Sequence, residues 1–259
     1  MATLASATAQ GGPAPGPLRI IGGGTGGGCI AGAVNLPPDG AGFQTIHRDR
    51  SAFWGAPTTI SGLETLAREA STAGLPTLLM EDISRSRGGP MPGGHISHQI
   101  GVDADVGLDM RPRPTIAEVR LESVELISMV RPDGRDIDPS VWSPRVIGLL
   151  HLAATLPRVD RVLVNPAIKQ ALCRDVTGDR SWLHMIRPWY GHAAHMHIHF
   201  RCPADQPECV EIAPIPAGDG CDATLAWWFE PHPVQPGPAK PTRPAPTPAA
   251  CRAILNAAG

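Results

Sequence analysis

Residues 191–200 read GHAAHMHIHF, and from position 195 onward imidazole and apolar side chains alternate: His195, His197 and His199 against Met196, Ile198 and Phe200. A period of two is the pleat of a β-strand with one apolar face and one imidazole face. Same-face neighbours on a strand lie roughly 6.5 to 7 Å apart. Two of them can therefore flank one metal about 2 Å from its ligand nitrogen, one ligating and the other standing beside it.

A second cluster lies upstream in GGHISHQIGVDADV, residues 93–106, which adds His95 and His98. Six of the ten histidines thus fall in two short stretches. Asp105 follows His98 by seven residues with Gly101 between, and the alternation of residues 102–106 reads as another strand with Asp103 and Asp105 on one face. Zn²⁺ accepts this mixture of imidazole nitrogen and carboxylate oxygen, and three protein ligands leave a position open for water, which is the arrangement of a catalytic rather than a structural site.

Around these strands the patterns are mixed. Residues 159–164 read as a strand, and a helix is expected from Ser143 as N-cap with Pro144 at its first position, carrying Val146, Ile147, Leu149, Leu150 and Ala153. Ser61 and Glu64 have capping-box spacing ahead of Leu66, Ala67 and Ala70, predicting a helix from Ser61 that stops at Gly74. A buried strand is expected over residues 76–80. There is no internal repeat, and the irregular mixture favours an α+β fold: a small antiparallel sheet carrying the zinc site, flanked by helices and long loops. The expected organisation is a Gly/Pro-rich extended arm with little regular structure over 1–28, a main domain carrying the zinc site over 29–230, and a proline-rich strap over 231–259. That strap holds eight prolines between Pro231 and Pro248, and Cys251 beyond it could pin it to the body.

Composition excludes several classes. With 22 Lys+Arg against 24 Asp+Glu, the charge of −2 offers no attraction to a phosphate backbone, so no nucleic-acid partner is expected. No apolar run approaches the roughly 20 residues of a membrane span. Gly and Pro number 29 each, which implies long loops. The six cysteines form no Cys-x-x-Cys pair and read as disulfides, although about fifteen pairings are open. Disulfides imply an oxidising compartment; because residues 1–10 lack the segments of a signal peptide, a removed signal is expected.

The order His-x6-Asp followed by His-x-His resembles the metallopeptidase superfamily of lysostaphin-type and D-Ala-D-Ala-type enzymes. The phrases GGHISHQIGVDADV, VLVNPAIKQALC, HAAHMHIHFRCPAD and GDGCDATLAWWFEP are more specific. They closely resemble the penicillin-insensitive murein endopeptidases of the bacterial periplasm, from about Cys29 to Cys251. The resemblance implies zinc held by His98, Asp105 and His197 and catalysis by His195, with further active-site histidines at His192, a second catalytic residue, and His95, counted with the metal residues; both are candidates to support the metal ligands or an oxyanion. It also implies disulfides Cys29–Cys251, Cys173–Cys221 and Cys202–Cys209. The implied substrate is the D-Ala to diaminopimelate cross-link between peptidoglycan stem peptides, and because the implied chemistry uses no serine nucleophile, penicillin has nothing to acylate. Two departures from the family pattern are His199, where Arg is usual, and Asp136, where His is usual, which bears on an accessory metal site near Asp133. His199 is expected as a strand-face side chain beside the cleft. Arg85 and Arg87 stand on a loop before the site, where guanidinium groups could meet substrate carboxylates. Two other readings share these residues: a D-Ala-D-Ala carboxypeptidase or dipeptidase, and a wall-binding protein with structural zinc.

Overall fold

The computed structural model describes residues 11–24, 27–91, 96–230 and 246–257. The chain opens with the antiparallel pair β1 (Arg19–Gly23) and β2 (Gly28–Ala31). Short strands β3 (Val34–Asn35), β4 (Asp39–Gly40), β5 (Phe43–Thr45) and β6 (Trp54–Gly55) lead into helix α1 (Pro57–Thr72). Strands β7 (Leu78–Met80) and β8 (Asp103–Gly107) precede helices α2 (Glu118–Leu121) and α3 (Pro144–Thr155). Then come β9 (Val159–Val164), α4 (Pro166–Asp175), β10 (Ile186–Pro188), β11 (His195–Phe200), β12 (Cys209–Val210), α5 (Ala223–Ala226) and α6 (Cys251–Leu255). Seven strands form the central sheet in the order β10-β9-β11-β8-β7-β5-β4. It is antiparallel from β9 to β7 and gains parallel pairs farther out, β10 with β9 and β5 with β7. The α+β class and the antiparallel site strands are as expected, and the sheet extends beyond them on both sides.

Register distributes the chemistry. β11 pairs with β8 so that His197 lies opposite Asp105 and His199 opposite Asp103; on its other side His197 faces Leu163 and His199 faces Arg161 of β9. Directly opposed residues share a face, so imidazoles and carboxylates gather on one side of the sheet. Met196, Ile198, Ala104, Val106 and Val162 occupy the other side, at most 1% exposed, within the main core.

Helix α3 begins where Ser143 and Pro144 predict, burying Val146, Leu149, Leu150 and Ala153, and β9 occupies the expected residues 159–164. Helix α1 differs: it starts at Pro57, not Ser61. Pro57 has a ring-fixed φ suited to the first turn, and the earlier start brings Ile60 into one buried stripe with Leu63, Leu66, Ala67 and Ala70. Ser61 is exposed on the first turns, where its carbonyl accepts from the Thr65 hydroxyl.

The N-terminal segment is also more ordered than its composition predicts. β1 joins β2 and β12 in a three-stranded sheet, and Ile20 and Ile21 are buried, so the segment docks by apolar burial as well as covalently. Cys29–Cys251, Cys173–Cys221 and Cys202–Cys209 are all bonded, and no described cysteine is free. Cys29 and Cys251 sit in a small core with Ala14, Ile21, Ala31 and Ile254. Most of the expected strap, residues 231–245, lies outside the described residues. Arg87 does not reach toward a substrate: it is 5% exposed and its guanidinium donates to the carbonyls of Gly12, Leu255 and Ala257, clamping both terminal segments. A guanidinium sunk that deeply needs acceptors, and main-chain carbonyls supply them.

Lys169 of α4 is fully buried, and its Nζ donates to the carbonyls of Leu183 and Asp219. Burial, reinforced by the Arg187 charge, pushes its pKa down to about 7.

Chain-entropy arithmetic ranks the disulfides. Closing 222 residues at Cys29–Cys251 removes about 5 kcal/mol of unfolded-state freedom, against about 2.5 kcal/mol for the short Cys202–Cys209 loop. Paired Cys→Ser variants should lose stability in that order in denaturant unfolding, and the reverse order would refute an entropic origin. For Lys169 the sign follows from proton counting. Between its native value and the ordinary lysine value near 10.4 the unfolded chain holds a proton that the native chain lacks, so stability rises with pH. Relative to Lys169→Met, the parent protein should gain stability from pH 7 to 9.5; a pH-independent difference would mean that Nζ is charged in the fold.

Candidate active site

The centre is built from three short pieces of chain. β11 supplies His197, β8 supplies Asp105, and the turn entering β8 supplies His98, whose backbone is left-handed at φ 63. That uncommon conformation is held at two points: the His98 N–H donates to Asp103 Oδ2 at 3.3 Å, and the ring Nδ1 lies 3.1 Å from the Ile83 carbonyl. A carbonyl can only accept, so Nδ1 carries the hydrogen and Nε2 turns a lone pair inward. His197 is fixed the same way from the other side, its Nε2 lying 3.0 Å from Asp103 Oδ1, which leaves Nδ1 bare.

The bare atoms converge. His197 Nδ1 lies 3.1 Å from His98 Nε2 and 3.0 Å from Asp105 Oδ1, and His98 Nε2 lies 3.3 Å from Asp105 Oδ2. Among the described residues His98, Asp105 and His197 form the one cluster able to hold a metal, and all three are buried. The spacings suit a tetrahedral cation with bonds of about 2.0 to 2.2 Å, whose ligand atoms stand about 3.3 Å apart. Two inward lone pairs at 3.1 Å repel unless a proton or a cation lies between them. Without a metal, burial opposes the charged ring of His197, but the hydrogen bonds to Asp103 and Asp105 outweigh it and raise its pKa to about 10. Burial would likewise raise the carboxylates; the charged histidines nevertheless hold both Asp103 and Asp105 well below the usual range.

The other histidines ring this centre. His195 Nε2 stands 3.7 Å from Asp105 Oδ2, and its Nδ1 stands 4.0 Å from Glu81 Oε2. Glu81, at the end of β7, is itself held by His47 at 2.7 Å. His192, left-handed at φ 46, has its ring 5.2 Å from that of His195 and donates from Nδ1 to the Tyr190 carbonyl. Burial lowers its pKa to about 4, so it is neutral and offers Nε2 as an acceptor. His199 is a buried strand-face residue bonded through Nδ1 to Asp103 at 2.7 Å, with Nε2 unpartnered. His95 lies outside the described residues. Asp136 is engaged by Arg174 at 3.2 Å, and no second ligand cluster occurs among the described residues.

A cleft of about 360 Å³ opens beside the centre, lined by His192, His197 and His199 together with Arg161, Arg187, Trp189 and Trp228. Sequence reading missed both arginines and Glu81. Glu81 and Asp82 directly after an apolar strand were the available signal for the latter.

Two imidazoles and a carboxylate with their lone pairs aimed at one point beside a cleft are a donor set able to hold a metal ion, of the kind that metal-dependent hydrolases use. The family model for penicillin-insensitive murein endopeptidase matches residues 21–256. Similar proteins of that name include one from Yersinia enterocolitica, 41% identical over 94% of this chain and 88% of its own length. Another, from Haemophilus influenzae, is 44% identical over 88% of this chain and 80% of its own. A third, from Escherichia coli, is 40% identical over 94% and 88% respectively. The chain belongs to the penicillin-insensitive murein endopeptidase family, a family of peptidases.

Asp103 touches no bare donor atom, yet it fixes His197, His199 and the His98 backbone. Asp103→Asn should weaken divalent-metal affinity by about 10- to 100-fold in competition with a chelator. Unchanged affinity would show that the His197 ring keeps its orientation without that carboxylate.

Proposed function

We propose that the protein is a zinc endopeptidase of the bacterial periplasm that hydrolyses the D-Ala to diaminopimelate cross-links of peptidoglycan. The observation that carries the reading is the inward-facing triad of His98, Asp105 and His197 beside the cleft, in a chain that belongs to a murein endopeptidase family. Two nitrogens, on rings each oriented by a second partner, and one carboxylate oxygen suit zinc. Three disulfides favour an oxidising compartment, and no helix among the described residues is long and apolar enough to cross a membrane.

When bound, zinc would polarise the scissile carbonyl and bring the pKa of a water toward 7, making a serine or cysteine nucleophile unnecessary and leaving penicillin nothing to acylate. His98, Asp105 and His197 would hold it. His195 is the proton-transfer residue in this reading: it is 28% exposed at its side chain, its Nε2 lies toward Asp105, and Glu81 stands behind its Nδ1 to favour the ring that has just gained a proton. His192, neutral and with Nδ1–H committed to Tyr190, orients the substrate by accepting an N–H at Nε2 and cannot act as a cationic oxyanion donor. His95 keeps its expected place beside the metal as part of the proposal.

The test is digestion of purified murein sacculi by metal-loaded protein, with muropeptides read by mass. Cross-linked dimers should fall and monomers rise; consumption of pentapeptide ends alone would make the protein a carboxypeptidase. Alanine at His98, Asp105 or His197 should abolish bound metal and activity together. His195→Ala should retain metal and lose about 10²- to 10⁴-fold in turnover. Metal loss equal to that of His197→Ala would make His195 a ligand.

A further inference from the structure

The face of the central sheet that bears the triad continues past β11. Across β9 it carries Leu163, opposite His197, and Arg161, opposite His199; on β10 it carries Arg187, paired with Leu163. With strands about 4.8 Å apart, the Arg187 backbone stands roughly 10 Å from that of His197. Both arginines line the cleft beside the triad, yet they are not equivalent. Arg161 is committed, its Nε donating to Asp160 Oδ2 and its Nη2 to the Ala213 carbonyl, each at 2.6 Å.

Arg187 is half-buried and, among the described residues, its guanidinium makes no hydrogen bond and no ion pair; its Nη1 is buried without a partner. Asp222 attracts it only at a distance, and burial depresses its pKa. The group is nevertheless tightly placed. Gly220, at φ +69, packs so close that a Cβ there would lie 2.7 Å from Arg187 Nη1. The segment around Gly220 is fixed by the Lys169 bond to the Asp219 carbonyl and by the Cys173–Cys221 disulfide. A guanidinium held in place with its donors unspent, in a cleft beside a hydrolytic centre, is matched to a planar anion that takes two N–H bonds at once.

We infer that Arg187 anchors a carboxylate of the substrate, namely the one on the carbon that bears the scissile amide nitrogen. This rests on the murein reading above: in a D-Ala to diaminopimelate cross-link the amine partner carries a free carboxyl on that carbon. The same chemistry could come from the terminal carboxylate of a stem peptide, and the substrates below separate the two. Arg187 is then a specificity-determining residue, selecting cross-links whose diamino acid is unmodified over those in which that carboxyl is a carboxamide.

The experiment uses three cross-linked muropeptide dimers: one with both carboxyls free, one amidated beside the scissile nitrogen, and one amidated at the stem terminus. Wild-type protein should prefer the free dimer over the first amide by on the order of 10²-fold in kcat/KM. Arg187→Gln should shrink that ratio to within about 3-fold, and Arg187→Lys should restore part of it, since it keeps the charge but not the planar fork. Bound metal and thermal midpoint should match the parent in both variants, showing that the loss is not one of folding. A ratio that survives Arg187→Gln overturns the inference. So does a collapse confined to the terminal amide, which would place a different carboxylate on the arginine. Should the wild type cut none of the dimers, the murein reading fails separately, and binding of N-acetyl-diaminopimelate and its amide, followed by tryptophan fluorescence, decides the anchor. Acid-selective binding lost in Arg187→Gln supports it; equal binding of acid and amide by the wild type overturns it.

Discussion

The register of β11 against β8 is the constraint on which the centre depends. It sets His197 opposite Asp105 and His199 opposite Asp103, and a slip of one residue would turn every side chain of β11 to the other face. Met196, Ile198 and Phe200 would then lie among carboxylates, and three imidazoles would enter the core. Each large apolar side chain moved out of the core forfeits about 1.5 to 3 kcal/mol, and three of them outweigh any gain from an alternative pairing. The geometry of the triad is thus enforced mainly from the opposite face of the sheet, by the apolar residues of the core.

On the near face the problem is electrostatic. Asp103, Asp105, His98, His197 and His199 are each at most 4% exposed, so their charges are largely stripped of water. The group is stable only as a set: Asp103 accepts from His197, His199 and the His98 backbone, and Asp105 answers both histidines of the triad. Removing one partner from such a buried network typically costs 3 to 5 kcal/mol, about as much as a domain of this size can spare. Asp103 is therefore constrained as tightly as the residues that face the metal position, although its own oxygens point elsewhere.

The parts of this arrangement legible in the sequence are those with a short period. Alternation marks β8 and β11, Ser143 with Pro144 marks α3, and the spacing of His98 and Asp105 brings two of the three donors together. What escaped depends on partners far along the chain. β1 reads as part of a Gly-rich arm because its hairpin with β2 runs through glycines, while its other partner, β12, lies near position 209 and only the fold buries Ile20 and Ile21. Arg87 sits in a polar, Gly-rich loop and looks solvated, yet both chain ends fold over it. Arg187 reaches the cleft only because β10 pairs parallel with β9, a relation with no local signature. The start of α1 was misplaced because Ser61 and Glu64 satisfy a capping pattern that Pro57 pre-empts four residues earlier.

Helix α4 links these pieces into one wall. At its N-terminus Asn165 caps the helix through Oδ1 to the Ala167 N–H. The same residue donates from its side chain to the Gly191 carbonyl at 2.9 Å and from its backbone to the His192 carbonyl at 3.0 Å. A left-handed residue such as His192 costs about 1 to 2 kcal/mol, and two hydrogen bonds contributing about 0.5 to 1.5 kcal/mol each are of the size needed to hold it. Farther along, Lys169 and Cys173 fix the 219–221 segment against Arg187. One short helix thereby fixes both His192, whose ring lies 5.7 Å from that of His197, and the Arg187 guanidinium in the cleft, so their separation is set by the fold itself. Such preorganisation is what a hydrolytic centre of the proposed kind would gain most from, because misplacement by about 1 Å is enough to cost two orders of magnitude in rate.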